Sequence, residues 1–259
     1  PPPPPPPLFS SRRRNTRLAI LSRGLGDVYK RQEQAKEPFF NEKEMALPSK
    51  RELAIRLESG EYSEEFQARF GQTIFQNPEL ALDAAASALA AFQNEQKFSP
   101  FSSKFDRVKN GDSVFTSAES RGEALFNGRA LCSVCHTSPS GAEIFSDFLY
   151  HNVGAPRNLT LLNNIGDQSF VDLGLGSKTG NPANNGQFRT PTLRNVAKTA
   201  PYMHNGVFKN LREVVEFYNS GAEPPEVPGN NIPPFIGNLF LSETDVNDIV
   251  AFLHTLTDK

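Results

Sequence analysis

Cys132-Ser133-Val134-Cys135-His136 holds the only two cysteines of the chain and one of its four histidines. Two thiols three positions apart, followed at once by an imidazole, form the attachment pattern of a c-type haem. On one helical turn, positions i and i+3 share a face. Both sulfurs then reach the two vinyl groups along one edge of a porphyrin and form thioethers. The next residue, His136, comes under the ring, where it can ligate the iron as proximal ligand. Three blander readings compete: a thioredoxin-like redox pair, half of a zinc site, or a structural disulfide with an awkwardly short ring. No second cysteine pair exists to close a zinc site, and the adjacent histidine favours haem over the other two.

Outward from this motif, the bulk of the chain suits a cofactor-centred fold. Its 259 residues make one large domain or two small ones. The net charge is −2, with no long basic block beyond the N-terminus, which argues against nucleic acid as the main partner. No apolar run is long enough to span a bilayer. Aromatics are supplied almost wholly by 21 Phe, with no Trp. A Phe-rich, Pro-rich chain of moderate hydrophobicity fits a mainly α fold with long loops, where a haem supplies part of the core.

Residues 1–32 read unlike the rest. Pro1 to Pro7 is a homopolymer, and Arg12-Arg13-Arg14 follows. A polyproline arm and a twin-arginine export signal are weighed, but Leu18-Ala19-Ile20-Leu21 is too short for a signal core. Asp27-Val28-Tyr29-Lys30-Arg31-Gln32 back-translates to a string resembling the end of a transposon adapter. The expectation is that residues 1–32 are non-native or disordered, and that any signal peptide is lost upstream.

From Glu33 the pattern is helical. Ser49 and Glu52 form a capping box. Tyr62, Phe66 and Phe70 recur at i, i+4 and i+8. Asn77-Pro78 caps a helix whose stripe of Leu82, Ala85, Leu89 and Phe92 is expected in the core. The stretch from Phe98 to Ser103 is a connector. Thr116 and Glu119 open a helix that runs toward the haem motif. Between Thr137 and Pro201 periodicity is scarce, and a loop of that length is often functional. Two helices close the chain. One is capped by Asn210 and turns Leu211, Val214, Val215 and Tyr218 to one side. The other follows Ser242, with Val246, Ile249, Val250 and Leu253 facing in.

A six-coordinate haem needs a ligand opposite His136. Downstream, the candidates are His151, Met203, His204, Tyr218 and His254. Met203 offers a thioether, the usual partner in electron-transfer cytochromes c. Tyr218 lies on the inward face of its helix, where a phenol needs a partner. The residues alone leave these two close to even.

These segments together resemble the bacterial di-haem cytochrome c peroxidases and their MauG-like relatives. The resemblance runs from Glu33 to the C-terminus. It rests on Glu33-Gln34-Ala35, Pro38, Glu44-Met45, Phe105-Asp106-Arg107, the haem motif, Phe145-Ser146-Asp147-Phe148, Phe188 to Asn195, Thr199 to Gly206, and Asp248 to Leu253. It implies two cytochrome c domains, each with its own haem. Residues 33–103 would be the remainder of the peroxidatic domain, and residues 104–259 the C-terminal, electron-transferring one. One covalent haem c is expected in this chain and two in a parent protein, since only one attachment motif is present.

The resemblance also assigns residues. Tyr218 matches the position that carries the distal iron ligand in MauG-like members, with Met203 as the alternative. Gln34 and Glu44 match distal catalytic residues of the peroxidatic haem, and Pro38 a residue packed near it. Thr199 and Pro201 match backbone ligands of a calcium ion. Arg189 and Arg194 are candidate haem-propionate partners. The implied activity is reduction of hydrogen peroxide, or oxidation of a partner protein, in the periplasm. Electrons would come from a small redox protein or a protein substrate. The rivals are a mono-haem electron carrier and a haem-free C-x-x-C redox or metal-binding protein.

Overall fold

The computed structural model describes residues 25–42, 44–137, 143–221, 224–229 and 231–259. The polyproline run and the arginine cluster lie outside them. The chain divides into two compact units, one ending at Pro100 and the other running from Phe101 to Lys259. Both are mainly helical, as expected.

The first unit contains α1 (Leu25–Phe40), α2 (Lys50–Glu58), α3 (Ser63–Phe70) and α4 (Pro78–Gln93). Helix α1 starts ahead of Glu33, where the sequence reading began the native pattern. Lys30, Arg31, Gln32 and Ala35 are good helix formers, and no proline interrupts until Pro38. Helices α1 and α2 both pack on α4. Their shared core is Phe39, Leu47, Leu53, Leu82 and Ala85.

Asn77 caps α4 by accepting from the Glu79 and Leu80 amides at 3.1 and 3.3 Å, with Pro78 in the first turn. The expected stripe holds only in its first half. Leu89 and Phe92 are exposed, while Ala81, Ala84, Ala86 and Ala90 are buried beside Leu82 and Ala85. Small alanines let neighbouring elements approach closely, and the contact face centres on them. Phe92 instead meets Phe98 edge-on, at 4.8 Å between ring centroids. Tyr62 is likewise exposed, as the residue capping α3. Phe66 and Phe70 do pack inward, Phe66 stacking on Phe75 at 5.5 Å. Ser49 caps α2, but the reciprocal half of the expected box is not made there, because Glu52 turns to Arg56 at 2.8 Å.

The second unit contains α5 (Lys104–Lys109), α6 (Ser117–Asn127), α7 (Leu159–Ile165), α8 (Leu175–Thr179), α9 (Leu211–Ser220) and α10 (Glu243–His254). Complete capping boxes start α5, α6 and α10 at Ser103, Thr116 and Ser242. Helices α6 and α10 cross tightly, and α9 packs on α10. Around the crossing, Phe105, Phe126, Phe145 and Phe252 form an aromatic cluster with centroids 5.1 to 6.4 Å apart. These rings belong to the buried core of the unit. Leu211, Val215 and Phe217 of α9 are buried, with Val214 and Tyr218 packed against the same cluster.

The segment between Thr137 and Pro201 is more regular than its sequence suggests. It includes α7, capped by Asn158 on the Leu161 amide, and α8. It also pairs β1 (Tyr150–His151) antiparallel with β2 (Phe188–Arg189), with Tyr150 opposite Arg189 and His151 opposite Phe188. Such short elements leave no readable period. No helix among the described residues is long and apolar enough to cross a membrane.

Candidate haem centre

Cys132, Ser133 and Val134 form one 3-10 turn that follows a left-handed Leu131 (φ 55°) in the segment after α6. The Cys135 and His136 amides both return to the Cys132 carbonyl, the latter at 2.9 Å. This winding keeps both thiols and the imidazole within one turn. Three more consecutive residues brace the motif. Phe145 turns its carbonyl to His136 Nδ1 at 2.9 Å. The Ser146 amide donates to the Thr137 carbonyl at 2.6 Å, and the Asp147 amide to the Cys135 carbonyl at 2.8 Å. Ser146 is itself fully buried, its hydroxyl donating to the Thr190 carbonyl at 2.8 Å.

Strain gathers here too. Leu131, Phe145 and Phe148 are three of the eight non-glycine residues with positive φ among the described residues. Each such residue costs on the order of 1 kcal/mol and persists only where the surroundings hold it.

The electrostatics follow from burial. The Cys132 thiol is pushed up to about 12 by burial, so it is a neutral S–H at ordinary pH. Burial also raises Cys135, helped by the negative charge of Asp147. Burial lowers His136, favouring the neutral imidazole. With Nδ1 donating to Phe145, the remaining nitrogen, Nε2, carries the lone pair, which is the form a metal needs. Tyr218 is raised by burial first and then by the nearby Cys132 and Cys135 thiols. The phenol of α9 therefore lies near both sulfurs. Cys132 and Tyr218 pack on the same hydrophobic cluster.

The other predicted residues fall in several places. Met203 adopts a left-handed φ of 66° in the loop before α9. His204 pairs with the buried Glu226 at 2.9 Å and stacks on Phe188 at 3.7 Å. His254 is exposed at the end of α10. Arg189 is exposed on β2, with its guanidinium over the Phe148 ring at 5.1 Å.

Arg194, the other candidate propionate partner, is buried and engaged by protein partners. It grips Asp106 at 2.5 and 2.7 Å and donates Nε to the Glu143 carbonyl at 2.7 Å. Thr199 is half-buried, with its hydroxyl on the Val196 carbonyl at 3.0 Å, and Pro201 follows a cis peptide bond.

Gln34, Pro38 and Glu44 lie in the first unit. Gln34 is exposed and Pro38 half-buried, one turn apart on α1. Glu44 is half-buried in the turn that folds back onto the helix, where the Met45 amide reaches the Pro38 carbonyl at 3.1 Å.

Two contributors escaped the sequence reading. The Phe145 carbonyl is a backbone atom with no signature of its own. Asp147 and His151 hydrogen-bond at 2.7 Å beside Cys135. Their i, i+4 spacing in a segment without helical period gave no sign that they meet.

The donor set fits a covalently held c-type haem. It comprises two free thiols at i and i+3, a neutral imidazole fixed through one nitrogen, and a half-buried phenol near the thiols. The comparisons with known proteins agree. A family model described as di-haem cytochrome c peroxidase matches residues 13–114. The methylamine utilization protein MauG of Paracoccus denitrificans is 41% identical over 252 residues, covering 88% of this chain and 65% of that protein. A cytochrome-c peroxidase, IdrP1, of a Pseudomonas strain is 33% identical over 230 residues, covering 81% and 57%. Among solved structures, the diheme peroxidase BthA of Burkholderia thailandensis superposes with a TM-score of 0.74 at 30% identity, covering 88% of this chain and 63% of that one. The chain belongs to the di-haem cytochrome c peroxidase and MauG-like family. It spans 57 to 65% of the length of these two curated relatives.

Proposed function

We propose that the chain carries the electron-transferring haem c of a di-haem peroxidase of the MauG-like branch, together with part of the peroxidatic domain. The observation that carries this reading is the Cys132–Cys135–His136 turn, its imidazole fixed by the Phe145 carbonyl, with Tyr218 packed on the same hydrophobic cluster as Cys132. Cys132 and Cys135 would hold the haem covalently through their sulfurs. His136, through Nε2, and Tyr218 would hold the iron. When bound, the haem supplies one-electron chemistry. Phe145 fixes the His136 tautomer, and the phenylalanine cluster excludes water from that side.

The remaining roles are part of the same proposal. Glu44 would move a proton of peroxide to the departing oxygen, with Gln34 orienting the substrate by hydrogen bonding and Pro38 packing nearby. Arg189, being exposed, is better placed than Arg194 to meet a propionate. The Thr199 and Pro201 carbonyls would serve a calcium ion. Hydrogen peroxide, a small redox-protein donor or a protein substrate, and a periplasmic setting complete the reading. Thioether attachment of haem c takes place outside the cytoplasm, which is the ground for that setting.

Chain matured with haem c is expected to give one haem per chain in a pyridine haemochrome assay. Cys132→Ser and Cys135→Ser should each leave a single thioether, and the double variant none. A wild-type chain without haem c would sink the proposal.

The axial ligand has its own test. An anionic phenolate stabilises ferric iron relative to a thioether and lowers the potential. Wild type should therefore lack the near-infrared magnetic circular dichroism band of Met-ligated ferric haem. Tyr218→Met should gain that band and a higher potential. The band in wild type, lost in Met203→Leu, would assign Met203 instead.

A further inference from the structure

We propose that Cys135, Asp147 and His151 form a binding site for a borderline-soft divalent cation, zinc in type, in chain whose Cys135 is not yet bonded to haem. One ligand atom from each residue lies within 4.8 Å of the other two. Tetrahedral ligands at zinc distances of about 2.0–2.3 Å sit roughly 3.3–3.8 Å apart, so small side-chain movements close the site.

The three side chains come from separate elements that the fold ties together. Cys135 ends the 3-10 turn, and the Asp147 amide is bonded to its carbonyl at 2.8 Å. His151 is held in register on β1 by its pairing with Phe188. The Leu149 amide donates to Asp147 Oδ1 at 2.9 Å, which turns Oδ2 toward His151 Nε2. A backbone donor that orients a ligand carboxylate in this way is the outer shell that metal sites use.

The chemistry of the set selects the metal. A thiolate and an imidazole are poor partners for calcium or magnesium, which prefer oxygen. One thiolate, one imidazole and one carboxylate suit zinc, with the fourth position left to water. On binding, the Cys135 thiol releases its proton to solvent. The imidazole keeps one proton on Nδ1 and presents Nε2, giving up its hydrogen bond to Asp147.

Zinc here and a thioether at Cys135 exclude one another, since an alkylated sulfur no longer offers a thiolate. Zinc would therefore block haem attachment at Cys135 and leave Cys132 free to react. This consequence rests on the haem reading above, whereas the metal site itself does not.

The test uses the full chain, reduced and free of haem, titrated with Co2+ as a spectroscopic probe. Wild type and Cys132→Ser are expected to show the same thiolate-to-cobalt charge-transfer band. Cys135→Ser should abolish it, and His151→Gln and Asp147→Asn should each weaken binding at least ~10-fold. Circular dichroism of every variant separates lost binding from lost folding. If Cys135→Ser does not fold, the His151→Gln and Cys132→Ser titrations decide alone. Equal loss in Cys132→Ser and Cys135→Ser with no effect of His151→Gln would place cobalt on the two-cysteine pair and overturn the proposal.

Zinc added before haem should then yield a product joined only through Cys132, read by mass spectrometry. If cobalt binds as described but haem never attaches, the haem reading fails and the metal site stands.

Discussion

Gly122→Ala is expected to lower the stability of the 101–259 unit by about 3 kcal/mol or more, and Gly122→Val to prevent its folding. A Cβ at Gly122 would lie 1.9 Å from the Asp248 carbonyl oxygen, 2.6 Å from its carbon and 2.8 Å from Phe252 Cβ. Two of these atoms are backbone of α10, so no rotamer change relieves the overlap. Helix α6 would have to lift away, uncovering Phe126, Ile249 and Phe252, each at most 2% exposed. Alanine favours a helix over glycine by about 1 kcal/mol, which opposes the loss but does not match it. Overpacking that moves only side chains already costs about 1–3 kcal/mol, and displacing a helix costs more. Ser120→Ala, at an exposed site on α6, should stay within about 0.5 kcal/mol. Urea unfolding of the three variants checks this. Gly122→Ala unfolding like Ser120→Ala would contradict the close crossing.

The haem motif and most helix starts could be read from the sequence because their signals are local. Ser242 with Asp245, Thr116 with Glu119, and Asn77 with Pro78 announce their helices within four residues. The inward faces of α9 and α10 follow from period alone, since both helices lie against a core on one side. Helix α4 shows where period fails. Its alanines, mute in a hydrophobic pattern, carry the contact, and Leu89 and Phe92 point outward. The candidate centre was legible where chemistry needs rare residues, at Cys132, Cys135 and His136. It was not legible where the fold uses backbone atoms or partners far apart in the chain. The Phe145 carbonyl on His136 and the Asp147–His151 pair depend on contacts that no local sequence pattern announces. Arg194 belongs to the same class. Nothing in its own segment shows that its carboxylate partner stands 88 residues earlier, at Asp106.

That pairing leads to the second large effect. Removing the Asp106 carboxylate is expected to destabilise the 101–259 unit by on the order of 3–5 kcal/mol, because it strands a buried guanidinium. Arg194 is 7% exposed. It lies over the Phe101 ring at 4.7 Å and within 5.8 Å of the Phe105 and Phe145 rings, so water cannot replace the lost partner fully. About 1 kcal/mol of the loss belongs to the α5 capping box, which Asp106 completes with Ser103. The pH dependence has a definite sign. Burial by itself would raise the Asp106 carboxyl, but the hydrogen bonds from Arg194 and Ser103 outweigh it and hold the group below its ordinary value. A carboxylate lowered in the folded state contributes stability above its unfolded value of about 3.9. That contribution fades as pH falls through the lower, folded value. Wild type should therefore exceed Asp106→Asn by a constant margin at neutral pH, and the margin should shrink below about pH 4. Arg194→Met separates charge burial from packing. In Asp106→Ala/Arg194→Met no charge is stranded, so the double variant should be more stable than the sum of the single losses implies. Urea midpoints of the four chains at neutral pH give the coupling. A loss below about 0.5 kcal/mol in Asp106→Ala would show that Arg194 finds water, as the arginine of an exposed pair does, and that the pair does not hold the loop of Glu143 against α5.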